Sequence, residues 1–196
     1  MKRIPLIPMI VVALAVLLMI GLGLWQLRRA EWKEGLLARY AQASRLPPMA
    51  WPAVPPTDGS LLFRRAGGFC LQPTGWTARA GRNRAGESGW RHIAACRTGG
   101  AEGPGLNVDM GWSKSADPPK SWRGGRVTGV IESDREHVIL LVSDRAAPGL
   151  EPSALPSPEQ IPNNHRAYAV QWFLFAGVAL IISGLAFSRR GREPKP

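Results

Sequence analysis

Three histidines and two cysteines are the side chains best suited to metal or nucleophilic chemistry here, and their spacing excludes most of it. His92, His137 and His165 stand 45 and 28 residues apart, so none forms the HxxxH pair of a metalloprotease. Cys70 and Cys96 are 26 apart, which rules out the CxxC arrangement of a thiol oxidoreductase. Two readings of the cysteines stay open. They form a disulfide if the domain lies in an oxidising compartment, or they remain two buried thiols on neighbouring strands. No Gly-x-Ser-x-Gly, Walker loop or dinucleotide fingerprint occurs, and Gly99-Gly100 and Gly124-Gly125 lack a strand-to-helix context and read as turns. Without a nucleophile beside a base, nothing in the chain calls for an enzyme.

The densest chemistry surrounds His165, in Ile161-Pro162-Asn163-Asn164-His165-Arg166-Ala167-Tyr168-Ala169-Val170-Gln171-Trp172-Phe173. Asn163 or Asn164 suits a helix N-cap, and Tyr168 and Trp172 suit a membrane interface. His165 is then either a polar interfacial residue or an axial ligand to a haem iron, a role that neutral imidazole commonly fills. A haem at that level would put its macrocycle in lipid and its propionates near Arg166, Arg28 or Arg29. Trp25 and Gln26 are expected to face the start of the second helix around Tyr168 and Trp172, because a polar amide so near lipid needs a partner.

The elements that position these residues are set by where charge is missing. Ile4 to Leu27 is a run of 24 uncharged residues, and Ala167 to Ser188 is another of 22. Either spans the roughly 30 Å hydrocarbon core of a bilayer as a helix, which excludes a free cytosolic enzyme. Lys2 and Arg3 resemble the start of a cleaved signal, but the apolar stretch is too long and no small-x-small site follows closely, so an uncleaved anchor is expected. Basic residues at both ends (Lys2, Arg3; Arg189, Arg190, Arg192, Lys195) put both termini on the cytoplasmic side and Arg28 to Arg166 outside. Arg28 and Arg29 argue the other way, but long translocated domains largely escape that rule.

The chain between the spans holds 19 Lys+Arg against 13 Asp+Glu once the six basic residues of the ends and Glu193 are removed, a net +6. Outside the cytoplasm such a surface favours anionic lipid or acidic partners over nucleic acid. Helix formers carry the first span (4–27) on to about residue 43. A Pro-rich arm follows over 44–66, a β-rich domain over 67–145, a Pro-rich connector over 146–164, the second span over 165–188 and a basic tail over 189–196. Leu106–Trp112 alternates like a half-buried strand. Trp90–Cys96, Arg126–Glu132 and Val138–Ser143 read as further strands, the last two joined by a hairpin at Ser133–Glu136, with weaker candidates at Phe69–Leu71 and Trp76–Arg79. The expected fold is two transmembrane helices flanking a mainly antiparallel β domain, either a small sheet or a barrel.

Three stretches carry a resemblance. Gly23-Leu24-Trp25-Gln26-Leu27-Arg28-Arg29 followed by Trp32-Lys33, then Val108-Asp109-Met110-Gly111-Trp112, then Pro162 to Phe173, resemble in order the landmarks of the Surfeit locus protein 1 family. The resemblance implies a non-enzymatic membrane protein that assists cytochrome c oxidase assembly, with its central domain in the periplasm or intermembrane space. For this chain the implied location is a cell inner membrane. It also implies haem a as cofactor, with His165 its axial ligand, and the oxidase's catalytic subunit as partner, with the haem a synthesis machinery a further one. The cofactor-binding set is then His165, Arg166, Arg28, Arg29, Trp25, Gln26, Tyr168 and Trp172. A cofactor-free scaffold for an oxidase intermediate is the alternative. The central landmark departs from the family's Val-Asn-Arg-Gly-Trp, since Asp109 and Met110 stand where Asn and Arg would.

Overall fold

The computed structural model describes residues 6–99 and 105–192; Lys2, Arg3, Glu193 and Lys195, which carry part of the charge argument, and Gly100 lie outside them. It divides into two compact units, one spanning Leu37–Ile161 and one formed by the chain up to Leu36 and from Pro162 onward.

The second of these is built on two helices, α1 (Leu6–Ala43) and α2 (His165–Arg192). At 1.5 Å per residue they are about 57 and 42 Å long, more than a bilayer core requires. Leu14, Leu17 and Leu18 on α1 and Val178, Ile181 and Ile182 on α2 stay exposed, as lipid-facing side chains would and the core helices of a water-soluble protein would not. Both helices are candidate membrane spans by length and composition.

The β unit contains β1 (Met49–Ala50), β2 (Arg65–Cys70), β3 (Gln72–Arg82), β4 (Ser88–Arg97), β5 (Gly105–Ser113), β6 (Gly125–Asp134) and β7 (Val138–Ser143). They form one sheet in the order β1-β2-β6-β7-β5-β4-β3. The expected strands and the β6–β7 hairpin are present, with Asp134 opposite Val138. Most pairs are antiparallel, but β1–β2 and β5–β7 are parallel, so the sheet is mixed. Only Leu71 separates β2 from β3, yet these strands occupy distant places in the order. The chain there switches from pairing with β6 to pairing with β4, so the sheet must roll until its two sides meet.

A disulfide between Cys70 and Cys96, Cα atoms 5.2 Å apart, fastens that seam, and Leu71 N donates to Arg97 O at 2.8 Å beside it. Of the two readings of the cysteines, the crosslink is the one observed. Closing a 26-residue separation stabilises a fold by about 3 kcal/mol in the chain-entropy picture. Inside the roll, Leu106, Val108, Met110, Val127, Ile131, Ile139 and Leu141 pack with Ala94 and the disulfide.

β5 departs from the half-buried strand its alternation suggests, because both of its faces are covered. The Pro-rich chain after β7 lies along it. Ala147 N donates to Met110 O, Trp112 and Glu151 exchange backbone hydrogen bonds, and Ser153 Oγ donates to Asp109 Oδ1 at 2.8 Å. Between the pairs Arg91–Trp112 and Ile93–Asp109, His92 of β4 alone stands opposite two residues of β5, which makes a bulge at Met110–Gly111. Gly111 adopts φ 132°, and a Cβ there would approach Glu151 O to 2.7 Å, so only glycine fits. The central landmark is therefore a structural joint. Asp109 is buried on it and accepts from Gly111 N (2.9 Å) and Arg91 Nε (2.5 Å), while Arg91 Nη2 also donates to Glu132 (2.7 Å). Burial works against the charge on Arg91, but Asp109 and Glu132 hold the guanidinium protonated above its ordinary value.

His92 sits beside this network, 1% exposed, with Nε2 2.8 Å from Ser113 Oγ. Burial pushes its pKa below the ordinary 6.5, against the opposing pull of the Ser115 carbonyl, Asp109 and Asp117. Below pH 6.5 the unfolded chain takes up a proton that folded His92 resists, so this contribution to stability is present above pH 6.5 and lost as pH falls. The expected outcome is a urea midpoint lower at about pH 5 than at about pH 7.5, with a smaller fall in His92→Gln. Equal falls in the two proteins would contradict the assignment.

Candidate functional site

The helix pair is held by a stripe on each partner. On α1, Val12, Val16, Met19, Gly23, Gln26 and Ala30 recur at three- and four-residue steps and are all buried or half-buried. On α2, His165, Ala169, Trp172, Ala176, Ala179 and Ser183 do the same. These are the seams of two helices that pack side by side. Small residues mark the closest approach: Ala30 and Ala169 are almost fully buried, and a Cβ on Gly23 would come within 2.6 Å of the Phe173 ring.

Polar groups gather at one end of this seam. Gln26 Oε1 lies 2.7 Å from His165 Nδ1. An amide oxygen can only accept, so Nδ1 is the donor, and a neutral ring held this way has its lone pair on Nε2. Two turns further along α1, Glu34 accepts twice from Arg166, at 2.8 Å from Nε and 2.9 Å from Nη2. Lys33 Nζ donates to Pro162 O at 2.6 Å. α2 starts at His165, and Asn164 O accepts from Tyr168 N at 3.1 Å, as an N-cap residue's carbonyl does.

The sequence-expected residues divide accordingly. Gln26 meets the start of α2 but its partner is His165, not Tyr168 or Trp172. Trp25 and Tyr168 are turned outward, 55% and 51% exposed. Trp172 is half-buried and packs edge-on against Phe175. Arg166 is engaged by Glu34, Arg29 lies over the Trp32 ring at 4.1 Å, and Arg28 is exposed. From sequence Lys33 enters only as part of the first landmark and Glu34 is not singled out, although seven and eight residues after Gln26 they recur on its side of α1. His137 is elsewhere, its Nδ1 2.8 Å from Asp134, and among the described residues no group of three or more His, Cys, Asp or Glu is arranged to hold a metal ion.

Two long apolar helices, each a candidate membrane span by length and composition, thus flank a crosslinked β domain. The SURF1 family model matches residues 13–177, and the chain belongs to that family. Its members are known as cytochrome oxidase assembly factors, which are non-enzymatic, and some bind haem. No curated protein matches the chain significantly.

Gly23 offers a direct check on the seam. Gly23→Leu should lower the thermal stability of the full chain in nonionic detergent by roughly 1–3 kcal/mol through overpacking against Phe173. Gly21→Leu, where a Cβ meets nothing within 4 Å, should leave melting unchanged. Equal effects would show that Gly23 does not lie at the helix contact.

Proposed function

We propose that this protein is an inner-membrane assembly factor that holds haem a through His165 near the membrane surface and helps deliver it to the catalytic subunit of a haem-copper cytochrome c oxidase. One observation carries the reading. The Gln26–His165 hydrogen bond leaves Nε2 as the lone-pair nitrogen of a half-buried ring, which is how a carbonyl partner prepares an imidazole to bind iron.

The surrounding residues fit a haem as cargo. Trp25, Arg28 and Arg29 lie at i, i+3 and i+4 on α1 and so share one face, with flat aromatic surface beside cationic groups. Tyr168, three residues after His165, adds exposed aromatic surface on α2. Because Glu34 occupies Arg166, propionate pairing falls first to Arg28 and Arg29. In this reading both termini are cytoplasmic and the β domain is periplasmic. The Cys70–Cys96 crosslink supports that side, since disulfides persist in oxidising compartments. The haem a synthesis machinery is the corresponding donor, and the oxidase catalytic subunit the acceptor.

The test is optical. Protein purified from cells that make haem a should show a Soret band, which His165→Ala should abolish and His137→Ala should leave intact. Gln26→Ala should weaken haem affinity by about 10- to 100-fold, the range for losing a ligand's outer partner. Retention of haem with an unchanged spectrum in His165→Ala would remove the ligand assignment and favour a cofactor-free scaffold for an oxidase intermediate.

A further inference from the structure

A cavity of about 360 Å³ opens on the β unit where the beginning of β6 meets the chain that leaves β7. Its walls include Met110, Trp122, Arg126, Val127, Thr128 and Arg145. Arg126 and Thr128 alternate with Val127 along β6, so they project to one face of the strand and both are exposed. The Trp122 indole is fixed by an edge-on contact with Trp76, ring centres 5.7 Å apart.

The charges of this cavity are not balanced from within the domain. No acidic residue lines it. Asp144, next to Arg145 in the chain, is already committed: its carboxylate accepts from Arg65 Nη2 at 2.6 Å and its carbonyl from Arg84 Nη2 at 2.8 Å. Among the described residues, neither the Arg126 nor the Arg145 guanidinium has a hydrogen-bonding or ionic partner. Elsewhere in the domain, Arg65, Arg79 and Arg91 are each paired with a carboxylate. Two unpaired guanidiniums and the Thr128 hydroxyl thus supply hydrogen-bond donors around one hollow, with Met110 and Trp122 as its apolar lining.

We propose that this cavity binds an oxyanion, the phosphate or carboxylate of a small molecule with an apolar body. The forked N–H groups of Arg126 and Arg145 take the anionic oxygens in charge-assisted hydrogen bonds, Thr128 Oγ1 donates to a third, and the apolar part rests on Trp122 and Met110. A phospholipid headgroup and a free small anion share this chemistry.

The test uses the full chain in nonionic detergent, titrated calorimetrically with inorganic phosphate, hexanoate and dihexanoyl phosphatidic acid. At least one should bind saturably. Phosphate binding as tightly as the lipid would mark a free-anion site, and binding of phosphatidic acid alone a headgroup site; either supports the proposal. Arg126→Gln and Arg145→Gln should each weaken binding about tenfold or more, the scale of a lost hydrogen bond to a charged group. Arg123→Gln, which removes an equal charge from a residue outside the cavity wall, should not. Arg126→Lys and Arg145→Lys keep the charge while losing the fork, and should fall between parent and glutamine variants with unaltered melting. No saturable binding of any probe, or equal weakening by Arg123→Gln, would overturn the proposal.

Discussion

A polar side chain on the contact face of two apolar helices must find its partner on the other helix, because hydrocarbon offers none. Gln26 and His165 meet that demand with each other. Their bond is worth only about 1 kcal/mol by the measure of interhelical hydrogen bonds, yet it determines more than stability. It aligns α2 against α1, and it selects which imidazole nitrogen keeps a lone pair. Gly23 against Phe173, with the almost fully buried Ala30 and Ala169 on either side of Gln26–His165, leaves the helices close enough for the bond to form. The Glu34–Arg166 and Lys33–Pro162 contacts hold the same end of the pair, though both are exposed and individually weak.

The β domain solves a different problem. About 125 residues of chain rich in glycine and proline have only the short end of α1, where Tyr40 meets Phe63, as a helix to bury against, so the sheet rolls to enclose its own core. The switch of pairing at Leu71 makes the roll, the disulfide fastens it, and the bulge at Gly111 turns Asp109 into a buried acceptor for Arg91, Ser153 and its own backbone. A buried carboxylate of this kind is tolerated only while its donors are in place, which ties β4, β5 and the chain after β7 into one register. Replacing the family's Asn and Arg by Asp109 and Met110 keeps the joint. Asp109 is satisfied by Arg91 from the neighbouring strand, and Met110 packs in the core.

How much of this was legible beforehand follows from which interactions are local. The uncharged runs declare α1 and α2, because charge and lipid exclude each other along a stretch of sequence. Period-two alternation declares β5 and β-rich runs declare β6 and β7, also from local sequence, with Trp90–Cys96 a further strand candidate. The Gln26–His165 bond joins residues 139 apart and depends on the rotation of both helices, so sequence indicated that Gln26 needed a partner but not which one. The parallel β1–β2 and β5–β7 pairs and the second layer over β5 are likewise long-range. Prolines in the chain after β7 argue against regular structure, yet leave Ala147, Glu151 and Ser153 free to pair with an edge that needs covering. In the β domain, no motif marks Arg126 and Arg145 as unpaired; that follows only from seeing Asp144 already engaged.

The account turns on the protonation of one ring. Nitrogen NMR of the full chain labelled at histidine, in nonionic detergent and without haem, distinguishes the two imidazole tautomers, with the His165 signals assigned by their loss in a His165 variant. The account predicts a proton on Nδ1 and a lone pair on Nε2 for His165, with that preference disappearing in Gln26→Ala. A His165 ring protonated on Nε2, or one indifferent to the removal of Gln26, would contradict it.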